Sequence, residues 1–255
     1  MSMVTVESDG GLRILTLNKP DKRNIIDQEM RDELLRAAAA IRADREAAAL
    51  VVAGAGPAFC AGADLPAIFG DDRRDVGVLR EDLMKVYDAF LWLRSLDIPT
   101  IAAVQGPAVG AGLNLALCCD LRVAGPAAKF AATFAQIGLH PGGGCTWFLV
   151  QALGPQRALK LLLDGGTVTG PEAVEAGLAV SLQDDPLAAA IELGRRYASM
   201  DARLVRHIKT AVRVASLEGF EATVEYESWA QAYSATQPAI HEFMARFRKP
   251  SGGQG

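Results

Sequence analysis

Two stretches of the chain are apolar almost without a break, AALVVAGAG at 48–56 and IPTIAAVQG at 98–106. Short apolar runs bounded by Gly and Pro read as strands buried on both faces. Elsewhere the pattern alternates. VTVES (4–8) and LRILTLN (12–18), joined across DGG, predict a β-hairpin. After KPDKRN, Asp27 is placed to cap a helix over about 28–42, with Met30, Leu34 and Ile41 on one face. LREDLMKVYDAFLWLRSL (79–96) carries Leu79, Leu83, Val86, Phe90 and Leu93 at helical spacing. GLNLALCC (112–119) predicts another helix and DLRVAG (120–125) another strand.

Strands therefore alternate with helices from about 48 to 125, the pattern of an α/β fold with right-handed crossovers. Beyond about 185 only helical patterns follow: LAAAIELGRRYASM, ARLVRHIKTAVRVAS, GFEATVEYESWAQAYSA and PAIHEFMARF. A core over 1–185 and a helical region over 186–255 are expected, with a frayed tail at KPSGGQG. Phe220, Val224, Tyr226, Trp229 and Tyr233 form an aromatic and apolar stripe that suits packing or self-association, or the stacking of a cofactor. Arg203, Arg206, Lys209 and Arg213 form a basic run, readable as a solvated face or as a contact for a phosphorylated ligand.

With 255 residues, half of them hydrophobic, the chain is long enough for one sizeable core. The net charge of −4 offers no general attraction to nucleic acid or to an anionic membrane. Cys60, Cys118, Cys119 and Cys145 lack CxxC spacing, so they read as small buried hydrophobes in a reducing compartment rather than as metal ligands. MSMVTVESDGG has neither a basic start nor an apolar stretch, and no segment reaches the roughly 20 apolar residues of a membrane helix. A soluble, cytoplasmic protein is expected.

The candidate chemistry lies in two turns that follow apolar strands, AFCAGADL (58–65) and VGAGLNLALCCD (109–120). Small residues let a ligand approach the backbone, and a helix N-terminus presents N–H groups without partners. Two such groups aimed at one carbonyl oxygen form an oxyanion hole, a device for an enolate or a tetrahedral intermediate. Taken together, AFCAGADL and VQGPAVGAGLNLALCCDLRVA resemble the paired signatures of the crotonase, or enoyl-CoA hydratase/isomerase, superfamily. LNKPDKRNIID, IGLHPGGG and LGPQRALKLLLDGGTVTGPEAVEAGLA extend the resemblance along most of the chain.

That resemblance implies an α/β spiral of ββα units followed by a C-terminal helical trimerisation region, assembled as a homotrimer or a dimer of trimers. It implies an acyl-CoA thioester as substrate, with coenzyme A part of the substrate and no further cofactor or metal. Carried over by motif, the backbone N–H groups of Ala61 and Ala111 would grip the thioester carbonyl. The CoA loop would comprise Ala61, Ala63, Asp64 and Leu65, with Asp64 bracing the loop. Arg23 would approach the nucleotide phosphates. Lys249 would do so too, unless it is simply an exposed tail lysine.

The resemblance also implies two catalytic glutamates, and neither is present. Their positions fall at Asn114 and Phe134. An amide cannot act as a general base near neutral pH, and a phenyl ring offers only a wall. His140, before the Pro-Gly-Gly-Gly turn, is the nearest titratable substitute, serving either in proton transfer or as a structural turn histidine. Phe69, Phe130, Phe134 and Leu139 would suit an acyl chain, and Asp71, Asp72 and Asp75 a solvated segment beside it. The expected function is an acyl-CoA-processing enzyme that stabilises a thioester enolate, with ordinary hydration doubtful. The alternatives are a CoA-thioester decarboxylase or hydrolase, or a homologue that binds acyl-CoA without chemistry. A relative that binds RNA gains little from the charge.

Overall fold

The computed structural model describes residues 2–70 and 75–240. Lys249, His241, Asp71 and Asp72 lie outside them, as does most of the helix expected over 238–247. The first compact unit spans Met1–Ser199 and the second begins at Met200.

The hairpin forms as expected, β1 (Val4–Asp9) antiparallel to β2 (Leu12–Leu17). Helix α1 (Gln28–Ala43) follows, its N-terminus capped by the Asp27 carboxylate accepting from the Met30 N–H. The apolar runs become β3 (Ala49–Gly54) and β4 (Thr100–Val104), which pair parallel to each other. Between them come a short α2 (Leu65–Phe69) and α3 (Val76–Leu91). Trp92–Ser95 tightens into a 3₁₀ turn, so the α-helix stops short of the expected 96. A short β5 (Pro107–Val109) leads into α4 (Ala111–Cys118), then β6 (Leu121–Ala124), β7 (Lys129–Ala131), α5 (Cys145–Leu153), α6 (Pro155–Asp164) and β8 (Thr167–Thr169). Helix α7 (Gly170–Glu175), β9 (Ser181–Leu182) and α8 (Pro186–Ala198) complete the first unit.

The main sheet has the order β1-β2-β3-β4-β6-β9, parallel except for the hairpin, and β5-β7-β8 make a second, three-stranded sheet. Both faces of the main sheet are covered, which is why β3 and β4 carry no polar alternation. On β3, Leu50 and Val52 face the larger core with α1, α3 and α4, while Ala49, Val51 and Ala53 face α8. Helix α8 lies so close that a Cβ at Gly194 would be 2.7 Å from Leu12 Cδ1. It therefore belongs with the sheet, although its pattern groups it with the terminal helices in the sequence. In the second unit α9 (Ala202–Leu217) and α10 (Phe220–Ala235) are joined through Gly219 at φ 101°. Tyr226 turns its hydroxyl to His207 Nδ1 at 2.8 Å, whereas Phe220, Val224 and Trp229 are exposed.

The turn after β3 determines where the site can be. Its carbonyl groups point inward and are collected by two side-chain amides. Asn24 Nδ2 donates to the carbonyls of Ala55, Ala58 and Phe59, and its Oδ1 accepts from the Lys19 N–H. Gln105 Nε2 donates to those of Gly54, Gly56 and Ala58. Asn24 is fully buried and stands at φ 56°, a left-handed conformation asparagine tolerates. Removing its amide in Asn24→Ala strands several buried acceptors at once. Urea unfolding is expected to show a loss of about 2–4 kcal/mol; a loss below about 0.5 kcal/mol would contradict this account of the turn.

Next to this turn, Lys19 Nζ meets the Asp27 carboxylate at 2.6 Å, mostly out of water. Burial works to raise the Asp27 pKa, but the Lys19 hydrogen bond and the Met30 N–H outweigh it and hold the pKa below 3.8. The same hydrogen bond raises Lys19 above 10.5. Asp27 therefore adds stability above its ordinary value that is lost as pH falls through the lowered one. Lys19 adds stability below its ordinary value that is lost as pH rises through the raised one. The stability gap between the wild-type chain and Asp27→Asn should be constant from about pH 5 to 9 and close on acidification below about pH 4.

Candidate active site

The two turns singled out in the sequence lie side by side. Cys60 donates its N–H to the Pro107 carbonyl at 3.1 Å and accepts from the Val109 N–H at 3.0 Å, which fastens the first turn to β5. The contact is closer than any side chain would allow. A Cβ at Gly112 would stand 2.2 Å from the Cys60 carbonyl oxygen, and one at Gly62 would stand 2.8 Å from the Val109 oxygen. That same Gly62 position is 3.7 Å from the Ala111 nitrogen, so the residue before Ala63 lies directly beside the start of α4.

The backbone N–H groups there decide which residues can bind an oxyanion. Ala111 is the first residue of α4, and its N–H has no partner among the described residues. Ala61 differs from expectation. Its N–H donates to the Arg23 carbonyl at 2.9 Å and is already engaged. Ala63 instead has the free N–H in that turn, because its neighbours Gly62 and Asp64 use their carbonyl and N–H on Ile26, leaving the Ala63 amide directed the other way. Ala63 and Ala111 both line a cavity of about 110 Å³.

The other site residues fall around that cavity. Asn114, one helical turn into α4, is buried and donates from Nδ2 to the Gly142 carbonyl at 2.8 Å. Phe134 lies against Gly110, where a Cβ would be 3.7 Å from the tip of its ring. Phe69 and Leu139 also form part of the wall, whereas Phe130 is sealed in the core. His140 stands exposed at the edge with Nδ1 2.7 Å from the Pro141 carbonyl, to which it can donate. Leu65 lines the cavity, while Asp64 accepts from the Ala67 N–H and caps α2. Arg23 is exposed on a left-handed turn at φ 52°.

Tyr87 is the residue the sequence reading missed. It shares an α3 face with Leu83 and Phe90, and its hydroxyl packs on the Gly-rich turn, 2.2 Å from where a Gly142 Cβ would be. Burial raises its pKa, against a smaller opposing effect of the Gly143 N–H, so the phenol stays protonated as a hydrogen-bond donor. The polar side chains of the lining are Tyr87, Asn114, Thr133 and His140; among the described residues no Asp or Glu lines the cavity. Burial also pushes the Cys60 and Cys145 thiols up to about 12, which removes them as nucleophiles.

A spiral of small α/β units with two free amides at adjoining strand exits defines a class, and the comparisons say which. The enoyl-CoA hydratase/isomerase family profile matches residues 7–249. A Mycobacterium tuberculosis protein named "probable enoyl-CoA hydratase" EchA14 is 44% identical over 249 residues, 95% of this chain and 95% of its own. The 1,2-epoxyphenylacetyl-CoA isomerase of Escherichia coli is 30% identical over 250 residues, 97% of this chain and 95% of that one. The crystal structure of an enoyl-CoA hydratase from Polaromonas sp. JS666 has a TM-score of 0.87 at 27% identity, covering 96% of each chain. The chain belongs to the enoyl-CoA hydratase/isomerase family, and its fold is the crotonase spiral with its helical C-terminal region.

Gly112→Ala tests the closeness of the two turns. The added methyl meets backbone oxygen rather than a flexible side chain, so the turns must separate. Affinity for a CoA thioester is expected to fall by about tenfold or more in a protein that still folds. Unchanged affinity would show that the turns need not touch.

Proposed function

We propose that this chain is a CoA-thioester enzyme in which the backbone N–H groups of Ala63 and Ala111 stabilise an enolate oxygen, and that hydration of enoyl esters is not its main reaction. The observation that carries the reading is the pair of partnerless amides on one mostly apolar cavity. Donors fixed before the substrate arrives need no reorganisation as charge develops, and each is worth about 100-fold or more in rate. The family's names for its members support a CoA ester as the ligand. Arg23 and the loop at 63–65 are the proposed contacts of its nucleotide arm, and no further cofactor or metal is invoked.

The cavity lining argues against hydration. Adding water across a double bond needs a base to take its proton, and the lining offers an amide at 114 and a phenyl ring at 134. Of the polar side chains in the lining, His140 at the exposed rim and the half-buried Tyr87 phenol are the two that can exchange a proton. Proton transfer between these two and an enolate carbon is the chemistry this site can support. The second reading, binding without turnover, is favoured by Phe134, which covers Gly110 beside the proposed oxyanion hole.

A steady-state assay with crotonyl-CoA tests the proposal. Hydration is expected at least about 100-fold below the roughly 10 s⁻¹ of an ordinary enzyme, with Asn114→Glu/Phe134→Glu raising it. Ordinary turnover by the wild-type chain overturns the reading of both positions. A broad panel of CoA esters that bind and emerge unaltered favours the second reading.

A further inference from the structure

We propose that the Tyr87 hydroxyl donates a hydrogen bond to the bound acyl group, so that the cavity is selective for acyl chains carrying an uncharged acceptor oxygen, such as an oxo group, beyond the α-carbon. This selectivity rests on the CoA-ester reading above and names its substrate class.

The hydroxyl is held in place by what surrounds it. Tyr87 lies on α3 with its ring tilted against that of Phe90, the centroids 6.2 Å apart. Its tip occupies the space a side chain at 142 would fill. The three atoms nearest a Cβ at Gly142 all belong to Tyr87, and the hydroxyl oxygen is 2.2 Å away. Glycine at 142 thus makes room for this one group. Burial raises the phenol's pKa more than the Gly143 N–H lowers it, so the proton stays on. An oxygen that faces the Gly143 N–H as an acceptor still has its own proton to give.

Among the described residues nothing accepts that proton, and the oxygen is not sealed away, in contrast to Asn114 Oδ1. Tyr87 is half-buried and lines the cavity. In the free protein such a hydroxyl donates to water. An acyl chain that fills the cavity expels the water. A plain hydrocarbon then leaves the proton unpaired, whereas an acceptor oxygen replaces the water's hydrogen bond. The place on the chain follows from the turn. Tyr87 meets the same Gly142 whose carbonyl accepts from Asn114 Nδ2 at 2.8 Å, and Asn114 stands one helical turn on from Ala111. With the thioester oxygen at the Ala111 amide, the phenol faces the acyl chain past its α-carbon. The acceptor must also be uncharged. Among the described residues no Lys or Arg lines the cavity, so a carboxylate there would lose its water with no cation opposite.

Calorimetric titration of the full chain with two matched pairs tests this, butyryl-CoA against 3-oxobutyryl-CoA and pentanoyl-CoA against 4-oxopentanoyl-CoA. In at least one pair the oxo ester is expected to bind about tenfold more tightly. Tyr87→Phe keeps the ring and removes the donor. The preference should fall to about one, and the plain esters should bind no more weakly than before. Equal binding within both pairs by the wild-type chain overturns the proposal, and so does a preference that survives in Tyr87→Phe. A variant that weakens plain and oxo esters alike makes Tyr87 a structural residue and overturns it too. Gly142→Ala, whose methyl would take the hydroxyl's place, should also abolish the preference, and it decides the matter should Tyr87→Phe fail to fold. Succinyl-CoA binding more tightly than either oxo ester would contradict the uncharged acceptor. If none of these esters binds, it is the CoA-ester reading that fails, and the selectivity fails with it.

Discussion

A backbone N–H away from bulk water must find a partner, and this structure depends on two that do not. The turn after β3 has many carbonyls to satisfy and meets them with the amides of Asn24 and Gln105 rather than with its own N–H groups. Within the turn, Ala61 is used up on Arg23 and Ala63 is left over. At the start of α4 the helix supplies Ala111 by geometry alone, with the favourable field of a helix N-terminus. Only glycine at 62 and 112 lets the two backbones approach this closely, the approach on which the proposed oxyanion hole rests.

Everything else at the site follows from what surrounds that pair. The wall is mostly apolar, burial pushes the Cys60 and Cys145 thiols up, and the polar side chains hold the Gly-rich turn or stand at the rim. Under the proposed reading, such a cavity stabilises negative charge on an oxygen and moves protons only through His140 and Tyr87.

Much of this was legible in the sequence. Alternation at 4–8 and 12–18 gave the hairpin, Asp27 marked the start of α1, and the apolar runs marked strands covered on both faces. The two Gly/Ala turns pointed to the cavity that both of them line, and the absence of glutamate at 114 and 134 needed no structure. The choice between Ala61 and Ala63 was not legible, because it rests on the Arg23 carbonyl, brought in from 38 residues earlier in the chain. Tyr87 was hidden because its helical spacing with Leu83 and Phe90 is also that of core packing; the signal was a hydroxyl on an otherwise apolar face. Helix α8 reads like its neighbours in sequence, and only the close fit of Gly194 on Leu12 shows that it belongs to the sheet.

The central claim is that two main-chain amides from separate turns polarise one thioester carbonyl. Isotope-edited infrared spectroscopy of a CoA ester labelled with ¹³C at that carbonyl measures the polarisation directly. On binding to the chain, the carbonyl stretch should move to lower frequency than in water, as two fixed donors draw electron density onto the oxygen. A bound ester whose carbonyl frequency is unshifted, or higher than in water, would contradict the account.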